Sequence, residues 1–81
     1  RQNDQLRLSY AAGTALGNDI QELLNERKSW GLPVEKNSLL AGVIDSISGH
    51  LLLPQKELNT LKAQADSAAE AARQKQVTAE Q

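Results

Sequence analysis

Cysteine, methionine and phenylalanine are absent from this chain of 81 residues, which has one tryptophan and one tyrosine. Without cysteine it has no disulfide framework and no thiol nucleophile. Nine basic residues against ten acidic ones leave no positive surplus to neutralise phosphates, so nucleic acid is not an expected partner. The longest apolar runs, such as HLLLP, are far too short to insert into a membrane and span it. Because the chain starts at Arg1 and has no methionine, we expect a processed or excised piece of a longer protein.

Leucine and alanine dominate what is present. There are thirteen leucines and eleven alanines, both strong helix formers, while β-branched residues are scarce. The length allows one small domain. The composition therefore predicts an all-α fold, and the sequence divides into three helices in the order long, short, long.

The first helix is predicted to start at Asn3 or Asp4, either of which can cap it, and to end at Trp30. Gly31 is a natural residue after the last helical turn, and Pro33 follows as a stop. Steps of three and four residues place one apolar or small-residue stripe along this helix. Its members are Leu6, Tyr10, Gly13, Leu16, Gly17, Ile20, Leu23 and Leu24.

The second helix is predicted between Asn37 as its N-cap and Gly49 as its terminator. It carries a dense apolar face, made of Leu39, Leu40, Val43, Ile44 and Ile47. The third helix is predicted from about Pro54 to about Thr78. Its apolar side is thin, with the residues Leu58, Leu61, Ala65, Ala68 and Ala72. Its distal half has little to bury and is expected to be solvated, frayed or a connecting rod.

The two glycines inside the first helix need a reason, because each costs about 1 kcal/mol relative to alanine. We interpret Gly13 and Gly17 as a place where a helix of a second copy crosses closely. Two alternatives remain open at this point. The glycines can break the segment into two helices with a bend, or they can pack against the second helix of the same chain.

The sequences LSYAAGTALG and GLPVEKNSLLAGVIDSISG, with a leucine-rich start to a long helix after them, resemble one known family. It is the N-terminal domain of FKBP-type peptidyl-prolyl isomerases, the macrophage infectivity potentiator proteins and their periplasmic relatives. The matching positions are Tyr10, Gly13, Leu16, Gly17, Val34, Leu39, Leu40, Ala41, Gly42, Asp45, Ser48 and Gly49. Pro54 departs from the family, which usually starts its third helix with Leu and then Ser or Thr.

The resemblance implies a homodimer in which the first two helices of each chain interlace, formed by residues 1–53. Residues 54–81 would be a long arm towards a C-terminal isomerase domain, which this chain lacks. The dimer cleft would hold non-native protein clients, and the protein would be periplasmic or exported. The expected dimer interface consists of the stripe of the first helix and the apolar face of the second.

No catalytic residue, metal site or cofactor is expected. His50, the single histidine, has no ligand partners at suitable spacing, and no hydroxyl has a base within helical reach. Two other classes remain as alternatives. One is a self-standing helical adaptor that binds a different protein through the same stripe. The other is a helix-turn-helix regulator fragment, which the charge balance argues against.

Overall fold

The computed structural model describes the backbone of residues 2–80 and the side chains of residues 3–76. Three helices follow one another: α1 (Gln2–Ser29), α2 (Lys36–Ser48) and α3 (Gln55–Glu80). Residues 2–80 contain no strand. The prediction of an all-α chain with helices in the order long, short, long is confirmed.

Helix α1 starts earlier than predicted and does not break. Its first turn already contains Asn3 and Asp4, so the prediction that one of them is the N-cap is wrong. Asp4 instead lies in the first turn, where its negative charge interacts favourably with the positive end of the helix dipole. The helix continues through Gly13 and Gly17, so the alternative of two shorter helices joined by a bend is also wrong.

Helix α1 ends at Ser29, one residue before the predicted Trp30, and Gly31 follows the last turn as the sequence predicts. Gly31 has a φ of 76°, which a residue with a Cβ rarely adopts. The Gly31 N–H donates to Lys28 O at 3.0 Å and the Leu32 N–H donates to Arg27 O at 2.8 Å. These two bonds form a Schellman motif, which satisfies carbonyls at the helix end and turns the chain towards α2.

Helix α2 is capped by Glu35 rather than by Asn37, so that prediction is wrong. Glu35 has an extended backbone, and its carboxylate accepts hydrogen bonds from the backbone N–H groups of Asn37 at 2.8 Å and Ser38 at 3.3 Å. The Ser38 hydroxyl donates to the same carboxylate at 3.0 Å. The Asn37 bond, followed by those of Ser38, holds the pKa of Glu35 below its ordinary value. At the other end Gly49, with a φ of 76°, terminates α2 as predicted.

Helix α3 begins directly after Pro54, whose carbonyl accepts the Leu58 N–H at 3.0 Å. Its backbone stays helical to Glu80, so the distal half forms a continuous rod. Glu70 accepts two hydrogen bonds from the Arg73 guanidinium, at 2.7 and 3.1 Å. The Arg73 bonds, together with one from Gln74, lower the pKa of Glu70 to about 2.

The three helices pack against one another very little. Ala69, at 8% exposure, is the one buried apolar residue among those whose side chains the structure describes. The chain measures 54 × 32 × 16 Å and has a radius of gyration of 16.3 Å. A compact domain of this length has a radius of gyration of about 12 Å. The apolar side chains therefore do not form a core within one chain.

Candidate functional site

The stripe of α1 lies open to solvent along most of its length. Leu6, Tyr10 and Leu16 are 61%, 77% and 63% exposed. Towards the C-terminal end of the helix the stripe is partly covered, since Ile20 and Leu24 are half-buried. These large apolar side chains would leave water only if another surface covered the stripe.

The two glycines of the stripe are also uncovered. A Cβ placed on Gly13 or on Gly17 would meet no heavy atom within 4 Å apart from the helix itself and the adjoining residues. The alternative that this patch packs against α2 of the same chain is therefore wrong. Within the described part of the chain, no close contact at Gly13 or Gly17 offsets the cost of glycine in a helix.

The predicted face of α2 is exposed to differing degrees. Ile44 and Ile47 are 62% and 81% exposed, and Leu40 and Val43 are just under 40% exposed. Leu39 is half-buried. The structure therefore leaves large apolar groups uncovered on both α1 and α2, which is typical of a binding surface.

A groove runs between α2 and the start of α3. Its cavity has a volume of about 410 Å³. Most of its walls are apolar or small, and four polar residues, Ser38, Asp45, Ser46 and Gln55, also line it. The apolar part consists of Ala41, Gly42, Leu51, Leu52, Leu53 and Leu58. The groove residues include no arrangement of groups for nucleophilic or acid–base catalysis.

The corner between α1 and α2 faces the alanine side of α3. A cavity of about 340 Å³ there is lined by residues of both, including Leu32, Pro33, Ala65 and Ala68. Trp30 is half-buried at this corner. The guanidinium carbon of Arg27 lies 5.9 Å from the centre of the Trp30 ring, a cation–π distance.

Two exposed apolar features were missed in the sequence. Leu8 lies off the stripe of α1 and is 72% exposed, and Leu52, between α2 and α3, is 87% exposed. The run HLLLP is visible in the sequence, where its short length serves only to exclude a membrane span. A run of leucines outside any predicted helix is itself a signal for an exposed apolar segment.

His50 is exposed, directly after α2. Within the described residues, no group of three or more His, Asp or Glu side chains is placed to hold a metal ion. Among the residues that the structure describes, no helix is both long and apolar enough to cross a membrane.

Comparisons with known proteins point to one family. Residues 5–81 match the family model described as the domain amino terminal to FKBP-type peptidyl-prolyl isomerase. A protein of Buchnera aphidicola subsp. Schizaphis graminum, named FKBP-type peptidyl-prolyl cis-trans isomerase FkpA, is 38% identical over 60 residues, which are 74% of this chain and 24% of the relative. The protein of the same name from Escherichia coli (strain K12) is 34% identical over 62 residues, which are 75% of this chain and 23% of the relative.

A further relative with that name, from Buchnera aphidicola subsp. Baizongia pistaciae, is 43% identical over 51 residues, or 63% of this chain and 20% of the relative. The chain thus spans no more than about a quarter of the length of these curated relatives. No solved structure matches it significantly. Since the family model covers nearly all of its residues, the chain belongs to the family of domains that lie amino terminal to FKBP-type peptidyl-prolyl isomerases.

Proposed function

We propose that this domain is the homodimerisation module of an FKBP-type peptidyl-prolyl isomerase. The observation that carries the proposal is the α1 stripe, which exposes large apolar side chains and two bare glycines along one side of a 28-residue helix. Covering a surface of this kind is favourable, because it removes large apolar groups from water. The best-matched cover is the same surface of a second copy, related by two-fold symmetry.

The exposed area of one chain is large enough for an interface with a second copy. The chain exposes 6965 Å² of surface. A compact monomer of 8.8 kDa exposes about 4,800 Å², so the excess is about 2,200 Å² per chain. Part of this excess belongs to α3, which would stay exposed as an arm, so about 4,400 Å² is an upper limit for what two chains bury; obligate homodimers bury about 2,000–5,000 Å² or more.

The helix lengths support an interlaced arrangement of residues 1–53. Helix α1 has 28 residues and is about 42 Å long, whereas α2 has 13 residues and is about 20 Å long. One α2 covers less than half of one α1, so the full stripe needs elements of the other chain. Residues 54–81, mostly α3, then form an arm that points away from the dimer core.

The wider role rests on the family. Isomerase activity, as in the names of the relatives, would belong to a part of such proteins that this chain does not match. We assign no catalysis to the chain itself. Binding of non-native protein clients between the two arms, and an exported location, follow from the family resemblance. The exposed leucines of this domain support client binding, because non-native chains expose apolar segments.

The proposal is tested by nuclear Overhauser effects between chains in a mixed sample of ¹³C-labelled and unlabelled protein. We expect contacts between chains at the methyl groups of Leu16 and Ile44. The methyl group of Ala11 lies on the opposite side of α1 and serves as the control, with no such contact expected. A sample with no contacts between chains would contradict the dimer and leave a helical adaptor for a different protein.

A further inference from the structure

The groove between α2 and α3 contains one polar side chain that has no partner in its own chain. The side chains of Ser38, Ser46 and Gln55 each donate a hydrogen bond to another residue of the chain, at 3.0, 2.8 and 2.9 Å. Asp45, the fourth polar residue of the groove, is half-buried. Within the described residues, the Asp45 carboxylate takes part in no hydrogen bond and no ion pair. The groove therefore combines apolar walls with one unsatisfied acceptor.

The wall beside Asp45 leaves room for a large side chain. Ala41 and Gly42 line the groove on the α2 side, and a Cβ on Gly42 would meet no heavy atom within 4 Å apart from the helix itself and the adjoining residues. Four leucines, at 51–53 and 58, line the groove as well. An aromatic side chain with a polar group at its tip suits such a site, because its ring is apolar and its tip can bond to the carboxylate.

Tyr10 is the one residue of the α1 stripe whose side chain can form a hydrogen bond. It is 77% exposed, and its hydroxyl takes part in no hydrogen bond with any described residue. It lies in the uncovered N-terminal half of the stripe, whereas Ile20 and Leu24 are half-buried within the chain. A dimer that buries this half needs an acceptor for the hydroxyl, because a buried tyrosine O–H usually has a partner.

We infer that Tyr10 of one copy inserts its ring into the groove of the other copy and donates a hydrogen bond from its hydroxyl to the Asp45 carboxylate. The inference rests on the proposed homodimer and names a contact that holds it together. Asp45 points about 100° away from Ile44 around α2, so this contact lies outside the apolar face that the sequence indicates. Two-fold symmetry makes the bond form twice.

The polar match favours a tyrosine over a cationic donor. A lysine or arginine could also pair with Asp45, but it would bring a second charge into a groove with mostly apolar or small walls. A phenol brings the apolar ring and the donor in one uncharged side chain. Tyr10 is the single tyrosine of the chain, so a second copy has one side chain of this kind to offer.

A double-mutant cycle on the dissociation constant of the dimer tests the pairing. Tyr10→Phe keeps the ring and removes the hydroxyl, and Asp45→Ala removes the carboxylate with a residue that favours the helix. A hydrogen bond to a charged group changes an affinity by about tenfold, and the dimer contains it twice, so Tyr10→Phe should raise the constant roughly 100-fold. In the Asp45→Ala background the same substitution should no longer raise it.

Asp19→Ala is the matched control, because Asp19 is an exposed carboxylate of α1 outside the stripe. Tyr10→Phe should weaken the dimer as much in the Asp19→Ala background as in the parent chain. Equal losses in the parent and Asp45→Ala backgrounds would overturn the pairing. A Tyr10→Phe chain that dimerises as tightly as the parent would overturn it too. Unchanged helical content, measured by circular dichroism, verifies that each variant is folded.

Nuclear Overhauser effects between labelled and unlabelled chains give a second test, which needs no variant. We expect contacts between chains from the ring protons of Tyr10 to the methyl group of Ala41, and none to Ala68, which lines the other cavity. Contacts at Leu16 and Ile44 without the one between Tyr10 and Ala41 would support the dimer and overturn the pairing. A sample with no contacts between chains would overturn both.

Discussion

Substitution of Gly17 by leucine tests the close crossing of helices most sharply, because its effect should differ between one chain and two. In a single chain Gly17 is exposed, and a Cβ there meets no heavy atom within 4 Å apart from the helix itself and the adjoining residues, so a larger side chain can point into solvent. Leucine also favours the helix by nearly 1 kcal/mol relative to glycine. For an isolated chain, Gly17→Leu is therefore expected to increase helicity.

In the proposed dimer the same leucine enters a close contact between two helices. Overpacking of this kind costs typically about 1–3 kcal/mol per site, and a symmetric dimer contains the site twice. The total is about 2 kcal/mol or more, and each 1.4 kcal/mol is a factor of ten in affinity. The dissociation constant of the dimer should therefore rise by roughly 30-fold or more.

Dilution calorimetry measures this constant for the parent chain and for two variants. Asn18→Leu is the matched control, because residue 18 is exposed and points about 100° away from Gly17 around the helix. We expect Asn18→Leu to dimerise like the parent chain. A Gly17→Leu chain that dimerises as tightly as the parent would refute the crossing at this glycine.

Three further predictions concern single contacts. The pKa of Glu35 is lowered in the folded chain, so the Glu35 cap stabilises α2 fully above pH 4.5, and this stabilisation is lost as the pH falls through the lowered pKa. Glu35→Gln should remove the pH dependence of α2 stability, measured by hydrogen exchange at the Ser38 amide. Arg73→Gln should raise the pKa of Glu70 from about 2 towards 4.5, measured by carboxyl ¹³C shifts, and an unchanged value would contradict the pairing. Ala69→Asp places a charge at the most buried described position, so α3 should move away from the corner between α1 and α2. The fluorescence of the single tryptophan should then shift to longer wavelength, and an unchanged emission spectrum would contradict this packing.

The helices could be predicted from the sequence because local signals determine them. Gly31 and Gly49 end α1 and α2 as predicted, since both adopt a positive φ. The N-caps were predicted less well. Asn37 has the residue type that caps prefer, but the carboxylate of Glu35 reaches two N–H groups from an earlier position. Type preference alone does not say which of two neighbouring acceptors takes this place.

The candidate site was predictable in its residues but not in its surroundings. The spacing of Leu6, Tyr10 and Leu16 identified an apolar stripe, and the structure shows these side chains exposed. The approach of α3 to the α1–α2 corner depends on alanines, whose small side chains give a weak sequence signal. The exposed residues 51–54 lie between α2 and α3, where helical periodicity carries no information.

Sedimentation equilibrium of this chain, from low to high micromolar concentration, tests the central claim most directly. A homodimerisation module is expected to show twice the mass of the 8.8 kDa chain, and to keep that mass over most of the range. A mass of one chain at every concentration would contradict the account, because the stripe of α1 would then need a different protein to cover it.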